Sequence, residues 1–560
     1  MIYNVLIGGA AGLGMETLAL ILGKILKRQG FEVFVIQDYM SRVRGGHNFF
    51  QIRFANEEID SHGDELDGIL ALDKETIQNH IVRLKPDGFI LADAEIDFQD
   101  ARFYQLALKS TAKTIGNPKV FGNVALGALL RFFNFDLESV EEVICEKFQG
   151  ETATQNIQAF IAGDKLVQGK YEISANPKGE KILINASEAI ALGALASGVK
   201  FYSAYPMTPS TGIMNYLAAK MNDAQMIVEQ AEDEIAAINM AIGASYAGAR
   251  AMTGTAGGGF ALMVEAVGLA AMLEVPLVVA VMQRPGPATG LPTRTEQGDL
   301  KFVVFSSPAE IPKMVIALRD PEDAFYQTNR AFDLADKYQI PVVLMGDQFL
   351  ADSTRTMKSF DFSTLKNDRH FSTEEYSETK EYRRYEITSS GISPRIIPGK
   401  IPGTSVLVDS DEHDEYGHIT ESAETRNRMH EKRLRKITYL KEELQEPIFV
   451  GEENADVLLL TWGSVSSPVK EAVRLLNIQG NSKYGALLFG DIWPLPDKLV
   501  KEKSKMATRL INVEQNATGL FSSLLRECTG IECNSSILKY DGRPISSQEI
   551  IARIEGGEKK

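Results

Sequence analysis

The chain has 560 residues, more than one hydrophobic core can organise, and this length predicts about three domains. Hydrophobic residues at 44% and charged residues at 24% are ordinary for a globular protein. The net charge of −16 argues against a nucleic-acid or acidic-membrane partner.

The expected first domain covers residues 1–175. An apolar strand at residues 3–7 leads into Gly8, Gly9, Ala10, Ala11, Gly12, Leu13 and Gly14, then a helix closed by Gly30 and a strand at 32–36. This is a βαβ start and predicts a parallel sheet with a right-handed crossover. Further strands are expected at 50–54, 68–71 and 88–92. Residues 1–14 lack the basic start of a leader and read as strand plus loop. The loop amides at Gly9, Gly12 and Gly14 suit a phosphate, but a tight turn for close helix packing reads equally well, since Thr17 stands where a dinucleotide fingerprint has its third glycine. Arg42 and Arg44 precede a flexible Gly45-Gly46 turn and suit anions or a solvated loop. Residues 151–181 lose the pattern and read as a tether.

The second domain, 182–350, alternates helices with strands at 200–203, 251–253, 277–281 and 341–345. Asn185 or Ser187 is the expected cap of its first helix. The longest apolar run, 266–282, is broken by Glu274 and Pro276, which makes it helix, turn and strand rather than a membrane span. Residues 351–450 read as a polar connector, turning at 391–403 and helical at 421–443. The last domain, 451–560, has strands at 457–461, 484–489 and 509–514. The fold class is α/β throughout.

The chemistry-bearing residues cluster where strands of the second domain end. Tyr205, Pro206, Met207, Thr208 and Pro209 follow one strand; Thr208, between prolines, is an aimed hydroxyl or part of a rigid turn. Glu234 stands at the start of an Ala-rich helix near Ile235, Ile238 and Ile242. It is either a buried carboxylate able to share a proton or one more surface acid beside Glu229, Glu232 and Asp233 favoured by the helix dipole. Gly257, Gly258 and Gly259 open the next helix. Arg284 and Arg395 sit in proline-stiffened contexts and are candidates either to grip a carboxylate or to form structural ion pairs. Residues 411–418, with His413 and His418 among acids, lack helical ligand spacing and read as a charged surface. Cys528 and Cys533, with four residues between them, do not match a zinc or iron–sulfur clip. With Cys145 they make three cysteines, so no metal is expected on this chain and a reducing cytoplasm is.

Taken together, these residues resemble the 2-oxoacid:ferredoxin oxidoreductases along nearly the whole chain. Residues 1–175 resemble the family's gamma subunit through the glycine loop and Arg44-Gly45-Gly46. The rest resembles the alpha subunit through Tyr205-Pro206-Met207-Thr208-Pro209, Glu232-Asp233-Glu234 and the segment from Gly286 to Asp299. Met207 in place of the usual Ile, and the three consecutive glycines at 257–259, are departures that leave the resemblance intact. It implies a gamma–alpha fusion with a thiamine diphosphate pyrimidine-binding domain and a transketolase C-terminal-like domain.

The resemblance further implies that Glu234, with Glu232 as fallback, hydrogen-bonds the aminopyrimidine of thiamine diphosphate, with Tyr205, Pro206 and Gly257 to Gly259 lining the cofactor. Thr208, Arg284 and Arg395 would bind substrate. Gly9, Gly12, Gly14 and Arg44 would contact a cofactor phosphate, with coenzyme A as co-substrate. No Gly-Asp-Gly motif occurs, so a separate beta subunit is expected to carry the diphosphate site, Mg²⁺ and a 4Fe-4S cluster, in a heterotetramer of two alpha and two beta that reduces ferredoxin. Residues 411–418 and the connector are most like 2-oxoglutarate enzymes. The alternative within the family is a pyruvate or branched-chain 2-oxoacid enzyme. Outside it stand a nucleotide-dependent oxidoreductase and a non-catalytic scaffold.

Overall fold

The computed structural model describes residues 2–40, 46–174, 180–374, 376, 381–480 and 482–556. The chain divides into two compact units, one of residues 1–185, 352–359 and 546–552, the other of residues 186–351, 360–545 and 553–560.

The first unit is built on an eight-stranded sheet in the order Phe103–Leu106, Leu84–Asp93, Leu66–Ala71, Ile2–Ala10, His47–Ala55, Glu32–Asp38, Thr354–Lys358 and Lys181–Asn185. The expected βαβ start forms, with the helix at Met15–Arg28 and Gly30 in a left-handed conformation at φ 93°. The sheet is mixed rather than parallel. His47–Ala55 inserts between the first two strands and runs antiparallel to both.

The stretch read as a tether is instead a helix, Gly150–Asp164, with Ala153, Ala159 and Phe160 buried. It lies against the Phe121–Phe132 helix so closely that a Cβ on Gly127 would overlap the Phe160 carbonyl, and one on Gly163 the Val124 carbonyl. Glycines here let two backbones touch, which a hydrophobic pattern cannot announce.

The second unit carries two sheets. The larger has seven strands in the order Asp491–Trp493, Met314–Ala317, Pro341–Asp347, Leu277–Gln283, Ala251–Thr255, Phe201–Ala204 and Ile227–Gln230, parallel apart from the first. Leu277–Gln283 and Pro341–Asp347 are buried along their whole lengths, as strands covered on both faces must be. The smaller sheet has five strands: Ile448–Gly451, Tyr484–Phe489, Val457–Trp462, Arg509–Glu514 and Ser535–Leu538. One core joins them, packing Val279 and Val281 with Leu460, Trp462 and Phe489. Ser187 lies within the Ala186–Ala196 helix and donates its hydroxyl to the Ala351 carbonyl at 3.2 Å.

The supposed polar connector is firmly packed. Tyr382, Tyr385 and Ile396 are buried. The Ala423–Leu440 helix sends Lys432 and Lys436 to the buried carboxylate of Glu274, at 2.5 and 2.6 Å. The segment read as a charged surface is also anchored. His413 is fully buried against the Tyr385 ring, and Glu412 pairs with Arg426 and Arg433.

Candidate active site

The carboxyl ends of the parallel strands in the second unit form one edge, the place where open α/β sheets hold ligands. After Phe201–Ala204 the chain turns through Tyr205 and Pro206, and the Ser210 hydroxyl closes the turn on the Met207 carbonyl at 2.7 Å. Arg284, directly after Leu277–Gln283, donates from Nη1 to the Thr208 carbonyl at 2.8 Å. Two residues singled out for substrate therefore meet, through the Thr208 backbone. Partial burial pulls the Arg284 pKa down, and the nearby charge of Asp299 opposes that shift.

Glu234 opens the Glu234–Tyr246 helix, and the division of labour among the neighbouring acids is physical. Asp233 is the cap, its carboxylate accepting the Ala236 N–H at 2.7 Å. Glu232 is exposed. Glu234 is 3% exposed, and its buried Oε1 has no hydrogen-bond partner in the protein. Ile238 and Ile242 are buried beneath it, whereas Ile235, expected beside them, is 51% exposed.

The Glu234 carboxylate lies against the glycine run. A Cβ on Gly259 would fall 2.5 Å from Glu234 Oε1 and overlap Thr255 Oγ1. A Cβ on Gly257 would overlap the Asp299 carboxylate, while Gly258 has open space short of the Ala288 carbonyl at 3.6 Å. Gly257 and Gly259 thus let two carboxylates reach the first turn of the Gly257–Met272 helix, whose N-terminus has no side-chain cap.

Asp299 carried no role in the sequence reading. It is mostly buried, its Oδ2 has no partner, and burial pushes its pKa up to about 6 against the pull of Arg284. Its backbone N–H is held by Gln283 Oε1 at 3.0 Å, and Gln283 donates to the Gly346 carbonyl at 3.1 Å. Gln297 ties the same loop to the smaller sheet, donating to the Trp462 carbonyl at 2.9 Å and accepting the Gln515 N–H at 3.0 Å. The sequence signal was the polar Glu296-Gln297-Gly298-Asp299 run following a buried strand; the roles within it depend on contacts hundreds of residues away.

Arg395 requires correction. It is buried on Asp336 at 2.8 Å and over the Phe371 ring, and Asp336 is shared with Arg250 at 2.8 Å. Asp336 lies in the last turn of Pro321–Tyr338, just before the amino end of Pro341–Asp347. Arg395 is therefore a structural ion pair at the opposite edge of the sheet from Glu234.

Gly9, Gly12 and Gly14 belong to the other compact unit, with Gly12 and Gly14 at φ 96° and 77°. Arg44 lies outside the described residues. Among the described residues no group of three or more His, Cys, Asp or Glu is arranged to hold a metal ion.

Comparison with known proteins gives the family. Residues 4–166 match the family model described as pyruvate ferredoxin/flavodoxin oxidoreductase. Residues 192–432, which include Thr208, Glu234, the glycine run and Arg284, match pyruvate flavodoxin/ferredoxin oxidoreductase, thiamine diP-bdg. A 2-oxoacid:ferredoxin oxidoreductase subunit alpha from Sulfolobus sp is 31% identical over 99% of this chain and 97% of its own length. The chain belongs to the 2-oxoacid:ferredoxin oxidoreductases. A 2-oxoglutarate synthase subunit KorA from Methanothermobacter thermautotrophicus is 30% identical over 67% of this chain and 98% of that protein. A 2-oxoglutarate:ferredoxin oxidoreductase from Magnetococcus marinus, solved with 2-oxoglutarate, coenzyme A and succinyl-CoA bound, superposes with a TM-score of 0.92 at 30% identity, covering 99% of both chains.

The site fits the thiamine diphosphate named by the family model. A buried carboxylate oxygen without a protein partner is costly unless a ligand group meets it, and Glu234 Oε1 is such an oxygen, beside a first helical turn made of three glycines. Among the described residues, no helix of this oxidoreductase chain is long and apolar enough to cross a membrane.

Proposed function

We propose that this chain is the gamma-fused alpha subunit of a 2-oxoglutarate:ferredoxin oxidoreductase. One 2-oxoglutarate and one coenzyme A give succinyl-CoA, CO₂ and a proton, and two electrons reduce two ferredoxins. The observation that carries this reading is the unpartnered Glu234 Oε1 against Gly259. Glu234, when protonated, donates to a ring nitrogen of the aminopyrimidine and fixes its tautomer; Gly257 and Gly259 admit the two carboxylates, and the open space at Gly258 lets the ring approach. Thiamine diphosphate, when bound, supplies the electron sink that makes loss of CO₂ from a 2-oxoacid feasible.

Arg284 is suited to the substrate carboxylate. It is half-buried and bonded to one neutral carbonyl, with Asp299 close enough to be felt but forming no ion pair within 4 Å. An incoming carboxylate completes its charge balance in a partly desolvated place, where such a pair is strong. Thr208 orients it through its carbonyl.

A beta subunit is required in this account, and it brings Mg²⁺ and the 4Fe-4S cluster. Tyr205, Ile235, Leu262, Leu291, Phe302 and Phe305, on the turns and helices that follow the site strands, are each at least 40% exposed. Exposed apolar side chains gathered about a site that needs a second half support a partner interface. In the first unit, Gly9, Gly12, Gly14 and Arg44 are assigned to a phosphate of coenzyme A, and the location is cytoplasmic. The named substrates of the relatives support 2-oxoglutarate; pyruvate or a branched-chain 2-oxoacid is the second reading.

The test is anaerobic assay of the chain co-expressed with its beta subunit. Coenzyme A-dependent dye reduction should prefer 2-oxoglutarate and vanish in Glu234→Gln. Preference for another oxoacid corrects the substrate; undiminished activity in Glu234→Gln removes the carrying observation.

A further inference from the structure

The second unit contains a half-open cavity of about 200 Å³ beside the distal end of the Gly257–Met272 helix, bordered by the 307–312 loop and the Ala423–Leu440 helix. It lies two or more turns along that helix from the glycine run, and no step assigned above uses it. At about 30 Å³ per water in the liquid, it has the volume of a small organic molecule rather than of one trapped water.

Its walls differ in chemistry. Leu269, Met272 and Ile311 give one apolar side. Arg426 and Arg433 give the other, and both are held by Glu412, at 2.6 and 2.8 Å. One carboxylate thus serves two guanidinium groups. Arg433 is 4% exposed, and its buried Nη1 has no hydrogen-bond partner. Ser307 lines the same cavity, and its buried Oγ also has none. A guanidinium nitrogen only donates, so what it lacks is an acceptor.

Gly268 is the third observation. It sits mid-helix, where glycine is less favourable than alanine. Neither close packing nor a left-handed φ requires it, since a Cβ there would meet only Ser307 Oγ, at an ordinary 3.6 Å. Its bare backbone keeps the cavity open.

We propose that this cavity is a binding site for a small monocarboxylate with a short apolar body. The carboxylate accepts from Arg433 Nη1 and Ser307 Oγ, and the apolar body lies on Leu269 and Met272. A dianion is disfavoured, because Glu265 and Glu310 also line the cavity. The inference stands on its own geometry and does not need the oxoacid reading.

Butanoate is the probe, with succinate and inorganic phosphate as comparisons, and the readout is the methyl resonance of ¹³C-labelled Met272, assigned with Met272→Leu, in the full chain. Butanoate should shift it saturably, with succinate and phosphate at least tenfold weaker. Gly268→Leu, which fills the cavity, should abolish the response. Arg433→Lys, which keeps a charge beside Glu412 but loses the fork, should weaken it at least tenfold. Should Gly268→Leu fail to fold, Arg433→Lys decides the matter. No saturable shift, an equal response to phosphate, or a response unchanged in either folded variant would overturn the proposal.

Discussion

Glu234 and Gly259 are a matched pair: the glutamate's buried Oε1 occupies the side of Gly259 where a methyl group would come within 2.5 Å of it. Gly259→Ala should therefore displace the carboxylate, and Glu234→Gln should remove its ability to exchange a proton. Both variants should lose about 100-fold or more in kcat, within the usual range for a proton-transfer group. Circular dichroism and melting curves should show an intact fold. A Gly259→Ala enzyme with wild-type kcat would mean that the carboxylate position does not matter.

Asp299 should make stability depend on pH. Burial raises its pKa in the folded chain to about 6 from an ordinary 3.8. A raised carboxyl favours folding fully below about pH 4, and that contribution is lost as pH rises through 6. The difference is of the order of 3 kcal/mol. Asp299→Asn is neutral throughout, so its melting temperature should gain on wild type between pH 4 and 7. A pH-independent gap would show that Asp299 titrates normally.

Glu274 is fully buried with Lys432 and Lys436. Burial alone would raise its pKa, but the two ammonium groups and Arg384 hold it far below the usual carboxylate range. Glu274→Gln leaves two buried cations short of a counter-charge and should cost about 3–5 kcal/mol in denaturant unfolding. Replacing all three residues by Leu, Met and Met should recover most of that loss. Equal losses in both variants would mean that packing, not charge, is what Glu274 supplies.

Arg284 and Arg395 should part company. Arg284→Lys loses the planar fork and should raise KM for the 2-oxoacid about tenfold or more with little change in melting temperature. Arg395→Ala removes one partner of buried Asp336 and should lower stability by about 2–4 kcal/mol while leaving KM unchanged. The opposite pattern would reinstate Arg395 at the substrate.

What could be read from the chain follows a physical division. Strands at 277–281 and 341–345 announce themselves because burial on both faces demands unbroken apolar runs. The segments after Phe201–Ala204, Ala251–Thr255 and Leu277–Gln283 were visible because each follows a largely buried strand, whereas Glu234 follows the mostly exposed Ile227–Gln230. The burial of Glu234 was not, since it depends on Gly259 from another helix. Nor was the fate of Arg395, whose partner Asp336 lies 59 residues upstream. Residues 151–181 misled because the Gly150–Asp164 helix packs through Ala and Gly, which carry little hydrophobic signal. Thr354–Lys358 completes the first unit's sheet from a point far along the chain, beyond any local pattern.

The most direct test of the central claim is anaerobic, coenzyme A-dependent viologen reduction by the chain assembled with its beta subunit, wild type against Glu234→Gln, with thiamine diphosphate content measured in both. The account predicts 2-oxoglutarate-dependent reduction in the wild type, lost by at least 100-fold in the variant. Equal rates in the two proteins, or no rate with any 2-oxoacid in a complex that contains thiamine diphosphate and cluster, would contradict it.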